Sequence, residues 1–308
     1  MEISGARAEA KTDGTEVPAR RVRPRFGKPR LLIVGCGDIG SRIVARLARR
    51  YRIVAVTATS ARSDALRALG AVPLTIDLDQ RRSLDRIAGF GERVIHLAPP
   101  SSAESVDMRT RRLVAVLTKR TQERRQRAVY ISTSGVYGDH QGRRIDETAR
   151  LAPSNERALR RVDGEQIMRA RLHSIVLRVP GIYARDRLPL DRLRQRIPVL
   201  TAADDVYTNH IHADDLARAA IVALLRGAPA RVVNASDDSE LTMGDYFDLV
   251  ADRCGLPRPP RMSRTEISAH VTPMMPSFMR DSRRLSNHRL KRELRLHLEF
   301  PTVADALN

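Results

Sequence analysis

Gly35, Gly37 and Gly40 follow directly on an aliphatic run, and a helix-like pattern starts within them: Arg30 to Ala45 reads RLLIVGCGDIGSRIVA. A pyrophosphate-binding loop needs this strand, turn and helix context. Gly35 allows a tight turn and Gly37 lets backbone N–H groups approach an anion. Gly40 lets the helix pack closely on the strand, and Asp38 and Ile39 open the helix whose N-terminus faces the phosphates. A nicotinamide dinucleotide is the first ligand this chemistry suggests, although three such glycines on their own also suit a plain turn.

The choice of dinucleotide is argued from the end of the next apolar run. A carboxylate about 20 residues after the glycines accepts hydrogen bonds from a ribose and repels a 2′-phosphate. Here that stretch, Val56 to Arg62, reads VTATSAR. Thr59 and Ser60 can donate to a phosphate and Arg62 can pair with it, so NADP is preferred and NAD remains open. The simpler alternative is that Arg62 begins the next helix in solvent.

Apolar and amphipathic segments alternate around these residues. Strands are expected at Arg52–Thr57, Val72–Ile76, Arg93–Leu97, Ala128–Ser132 and Ser174–Val179, and helices at Ile39–Arg50, Ser63–Leu69, Gln80–Ala88, Ser105–Arg124 and Asn155–Arg171. That alternation predicts an α/β, doubly wound parallel sheet, the Rossmann fold. Beyond Leu188 prolines multiply and helices are expected at Ala213–Arg226 and Met243–Cys254. Residues 1–29 then read as a disordered basic tail, 30–187 as the dinucleotide-binding domain and 188–308 as a smaller lobe for the substrate, partly interleaved with the sheet.

The chain has 308 residues and a formal charge of +19. Lysine occurs only at Lys11, Lys28, Lys119 and Lys291, so the excess is arginine scattered over expected helices, with few aromatics to stack on bases; nucleic acid is not expected as a partner. The N-terminus has no apolar core of a secretory signal, and no apolar stretch approaches the about 20 residues that span a bilayer. With Cys36 and Cys254 alone, neither a disulfide framework nor a metal cluster is expected, and a cytoplasmic location fits.

Further landmarks follow in order: Asp77-Leu78, HLAPP at 96–100, YISTSGVYGD at 130–139, LRVPGIY at 177–183, NHIHADDLA at 209–217 and VVNASDD at 232–238. With the glycine loop, this set resembles the extended short-chain dehydrogenase/reductase superfamily, the NAD-dependent epimerase/dehydratase group, and most closely its atypical branch with a GxGxxG loop. The resemblance implies that Asp77 meets the adenine amino group beside Leu78. It places Leu97, Ala98 and Pro99 along the cofactor, and Pro180 to Ile182 against the nicotinamide.

The same resemblance implies a Ser or Thr working with a Tyr and, four residues on, a Lys. Thr133 matches the hydroxyl. The Tyr and Lys positions fall at Arg157 and Arg161, and a guanidinium cannot exchange protons as a phenol does. Tyr137 beside Thr133 is the substitute taken forward, with Tyr183, Asp139, His140 and His210 as further candidates. Arg157 and Arg161 could bind an anionic substrate, though two solvated arginines on a helix already carrying Arg160, Arg169 and Arg171 is the plainer expectation. His210, His212, Asp214 and Asp215 lie close together, but a strand-to-helix junction accounts for them better than a metal does. The expectation is an NAD(P)-dependent oxidoreductase or epimerase acting on a small, sugar-nucleotide-like or phosphorylated molecule; the alternative is a catalytically silent NADP(H) sensor. Arginines on the helices before and after the fifth strand favour a monomer or weak dimer.

Overall fold

A computed structural model describes residues 27–102, 104–119, 126–267 and 279–308. The tail up to residue 26 and the end of the expected Ser105–Arg124 helix lie outside the described residues. The first twelve strands in chain order are β1 (Arg30–Val34), β2 (Arg52–Thr57), β3 (Val72–Thr75), β4 (Arg93–His96), β5 (Arg127–Thr133), β6 (Arg144–Ile145), β7 (Ile175–Val179), β8 (Gly181–Tyr183), β9 (Val199–Leu200), β10 (Tyr207–Thr208), β11 (His210–His212) and β12 (Val232–Asn234). Seven of them form one sheet in the order β12-β7-β5-β4-β1-β2-β3, every neighbouring pair parallel. This is the doubly wound Rossmann arrangement expected from the alternating pattern.

The main helices are α1 (Asp38–Leu47), α2 (Ser63–Ala68), α3 (Arg81–Leu84), α4 (Met108–Thr118), α5 (Glu156–Leu172), α6 (Leu190–Arg194), α7 (Ala213–Arg226) and α8 (Met243–Arg253). Alternation along β1 explains how both sheet faces are covered. Leu31 and Ile33 join Ile43 and Val44 of α1 and Leu216 and Ala220 of α7 in one core. Leu32 and Val34 join Leu113 and Leu117 of α4 and Met168 and Leu172 of α5 in the other. Successive residues point to opposite faces, so a strand buried on both faces is apolar along most of its length.

Local chemistry sets the helix limits. Asp107 caps α4 by accepting from the Thr110 N–H at 3.0 Å, so this helix starts three residues later than its periodicity suggests. Asn155 caps α5 through the Ala158 N–H at 2.9 Å. Arginines along α4 and α5 meet carboxylates of their own chain: Arg109 with Asp79, Arg111 with Asp163 and Arg160 with Glu156.

The later part of the chain builds a small lobe around Leu193, Val199, Leu200, Val206, Phe247 and Val250. It also returns α7 and β12 to the central sheet. β12 has three residues, too few for a periodic signal, and was not anticipated as a strand. Among the described residues no helix is long and apolar enough to cross a membrane.

Candidate cofactor and active site

Strand order reverses between β1 and β4, and open α/β sheets place ligands beyond the carboxyl ends of strands at such a point. Gly35 sits there with φ +80°, and a Cβ on it would stand 2.5 Å from the Ala98 nitrogen. The N–H groups of Gly35 and Cys36 donate to the Val56 carbonyl at 3.0 and 2.8 Å, hooking the turn onto β2. Gly37 precedes α1 without a side-chain cap, and a Cβ there would meet nothing within 4 Å. A Cβ on Gly40 would press to 2.7 Å from Cys36 Sγ and 3.3 Å from Leu97 Cδ1. Thus one glycine permits contact with the β4 loop, one leaves open space before the first-turn N–H groups of Asp38, Ile39 and Gly40, and one lets α1 lie on the turn. Burial pushes the Cys36 thiol up to about 12, so it is a small filler and not a nucleophile. Asp38 is engaged by Arg42 and Arg187, each at 3.1 Å.

Thr59, Ser60 and Arg62 are exposed beside this loop. Arg62 Nη2 leans back to 3.5 Å from Ser41 Oγ, bringing its charge to the first turn of α1. Asp77 is exposed, with Oδ1 accepting from the Asp79 N–H at 2.9 Å, while Leu78 is buried. Leu97 and Ala98 touch the glycine turn, and the Pro99 carbonyl accepts from Arg109 at 3.3 Å. Thr133 ends β5 opposite Val179, next to Pro180, and its Oγ1 accepts from the Gly135 N–H at 3.2 Å. Pro180 and Ile182 are half-buried on the same edge.

Two residues are placed otherwise than the sequence suggested. Tyr137 has no exposed surface; its hydroxyl donates to Asn234 Oδ1 at 2.7 Å, Arg178 lies over its ring at 4.8 Å, and burial raises its pKa. A phenol held this way packs the β5 loop, and proton exchange with substrate does not fit it. Arg161, expected in solvent, is buried because Nη1 donates to Ile131 O at 2.9 Å, to Ala98 O at 3.3 Å and to the Tyr130 hydroxyl at 3.2 Å. The Tyr130 hydroxyl in turn donates to the fully buried Asp107 at 3.2 Å. Arg157 stays exposed.

Sequence reasoning missed the pair beneath these groups. Arg178 donates through Nε and Nη2 to both oxygens of Glu165, at 3.1 and 2.8 Å, and Ser132 Oγ donates to the same carboxylate at 2.6 Å. The available signal was Glu165 itself, one turn beyond Arg161 and on the same inward face.

The other candidates lie away from this edge or are already engaged. Tyr183 is buried among Phe300, Tyr246 and Val303, and His210 stacks on Tyr246 with ring centroids 4.3 Å apart. Asp139 Oδ1 accepts from the N–H groups of Gln141 and Ser282, and the His140 N–H donates to Ser282 O. His212 caps α7, Asp214 holds Arg42 and Arg46, and Asp215 accepts from the N–H groups of Glu299 and Phe300. Among the described residues no group of His, Cys, Asp and Glu side chains is arranged to hold a metal ion.

Burial lowers His210 and His96 to about 4, so both are neutral in the fold and take protons on unfolding. Their contribution is present above the unfolded value near 6.5 and is lost as pH falls through the folded value. Asp237, raised to about 7 by burial, acts the other way over roughly pH 4 to 7. Urea denaturation of His210→Gln should therefore show a smaller fall in stability between about pH 6.5 and 4 than the parent, by about 2–3 kcal/mol; equal slopes would refute the assignment.

The pattern of the NAD dependent epimerase/dehydratase family matches residues 31–236, from β1 through the end of the central sheet. The chain belongs to this family. No curated protein matches it. Among solved structures it is similar to a conserved protein of unknown function from Silicibacter pomeroyi DSS, with TM-score 0.75 and 28% identity over 91% of this chain and 97% of that one. It also shares its fold with a dTDP-glucose 4,6-dehydratase from Bacillus anthracis solved in complex with NAD, with TM-score 0.72, 17% identity and coverage of 91% and 94%. A UDP-glucuronic acid 4-epimerase from Bacillus cereus, in complex with UDP-glucuronic acid and NAD, gives TM-score 0.72 and 16% identity, covering 90% and 96%.

Proposed function

We propose that the chain binds NADP(H) in the cleft above β1 and β4 and acts as an oxidoreductase or epimerase of the epimerase/dehydratase type on a small molecule, sugar-nucleotide-like in class. The observation that carries this reading is the glycine turn, with its open space over Gly37 and its close approach to Ala98. The chain's residues fit a dinucleotide: α1 offers N–H groups to the pyrophosphate, Asp77 keeps one carboxylate oxygen for the adenine amino group, and Pro180 and Ile182 flank the ring. When bound, the nicotinamide supplies a hydride acceptor or donor. Thr133 is the hydroxyl placed to hold the reacting oxygen, and Arg161 is fixed between the ends of β4 and β5.

NADP is preferred because residues 57–62 carry no carboxylate and Arg62 reaches the first turn of α1. In Arg62→Ala, NADPH affinity should fall about tenfold or more, since a charge-assisted phosphate contact is lost, while NADH affinity stays level. Fluorescence titration reads both, and an NADPH affinity indifferent to the change would remove the preference.

A second reading, a silent NADP(H) sensor, is favoured by the buried Tyr137 and the arginines at 157 and 161. Assaying both net coenzyme oxidation or reduction and conversion of the sugar itself across nucleotide sugars separates the two, since an epimerase returns its coenzyme unchanged. Turnover abolished by Thr133→Val supports the enzyme; NADPH binding with no turnover supports the sensor.

A further inference from the structure

We propose that Arg157 and Arg161 form a recognition site for an oxyanion, a carboxylate or phosphate carried by the substrate, beside the reacting end of the cofactor cleft; this rests on the cofactor reading above. Arg161 is 7% exposed. Its Nη1 is fixed by two main-chain carbonyls and a phenol, none of which neutralises its charge. Nε is buried without a partner, and among the described residues no hydrogen bond engages Nη2. The guanidinium is therefore anchored at one corner with donors left over at the others. Arg157 stands one helical turn earlier on α5, exposed, and among the described residues it has no ion pair. Its pKa is lowered by desolvation and then by the charge of Arg161, so the two guanidiniums feel each other.

Nearby arginines do not share this condition. Arg160 pairs with Glu156, Arg178 with Glu165, Arg111 with Asp163 and Arg109 with Asp79. Two guanidiniums four residues apart on a helix, neither in a direct ion pair among the described residues, repel each other. A bound carboxylate or phosphate relieves that repulsion, and its geometry suits the planar fork of arginine. Because Arg161 is tied to Ala98 and Ile131, at the carboxyl ends of β4 and β5, the anion would lie close to the carbon that exchanges hydride. A substrate bearing its own negative group near the reacting centre follows.

The test is calorimetric titration of the NADP⁺-saturated chain with inorganic phosphate and, separately, malonate. One saturable site is expected, weakened about tenfold or more in Arg157→Gln, an exposed position where the fold is indifferent. Arg160→Gln should leave binding unchanged, and the tighter of the two probes tells phosphate from carboxylate. Absence of a saturable site, or equal binding in Arg157→Gln, overturns the proposal. If NADP⁺ itself fails to bind, the cofactor reading falls separately. The same titration of the free chain then decides: an Arg157-dependent site upholds the anion site and an Arg157-independent one overturns it.

Discussion

Replacing Glu165 with alanine is expected to destabilise the chain by about 3–5 kcal/mol, the range for stranding one partner of a buried ion pair. Glu165 is 2% exposed and Arg178 is 3% exposed. The carboxylate satisfies two nitrogens of Arg178 and the Ser132 hydroxyl together. Without it a guanidinium remains between β5, β7 and α5 with no anion to balance it, and its Nη1 already lacks a partner. The double variant Glu165→Leu, Arg178→Met removes both charges, so its loss should be well below the sum of the single losses. Urea denaturation of Glu165→Ala, of Glu165→Leu and Arg178→Met singly, and of the double variant measures this. A loss in Glu165→Ala under about 1 kcal/mol, as for an exposed pair, would show that the pair is not buried as described.

The largest effect on the proposed cofactor site is expected from a contrast between two glycines. At Gly35, φ is +80° and a Cβ would run into the main chain of Ala98 at 2.5 Å. Gly35→Val should therefore cost about 3–5 kcal/mol, from backbone strain and overpacking together. At Gly37, φ is −83° and a Cβ meets nothing. Gly37→Val should change stability by no more than about 1 kcal/mol, yet its isopropyl group would fill the space a pyrophosphate needs. Thermal melts with and without NADPH check both: Gly35→Val melts early, whereas Gly37→Val melts normally but gains no stabilisation from NADPH. Coenzyme stabilisation of Gly37→Val equal to that of the parent would place the phosphates elsewhere.

Much of this architecture was legible because β1, β2, β4, β5 and β7 are buried on both faces and are apolar over most of their length, while α1 and α7 show one apolar face each. The helix at Ala213–Arg226 matches its expected limits residue for residue. The short strands β8, β11 and β12 carry too few residues to show a period, and their pairing is decided by distant neighbours. Around the site, the glycine roles could be argued from spacing because backbone geometry dictates them. The placements of Tyr137 and Arg161 could not. Tyr137 is turned inward by Asn234, 97 residues away, and Arg161 is drawn under the sheet edge by carbonyls of Ala98 and Ile131. An arginine on a charged helix looks solvated until the fold supplies acceptors for it.

The chain contains no tryptophan, so the emission of NADPH can be followed without that background. Titrating the wild-type chain with NADPH should give a saturating rise in emission at one site per chain, reversed by added NADP⁺. A signal that grows only in proportion to added NADPH, from protein shown to be folded, would contradict the account at its centre.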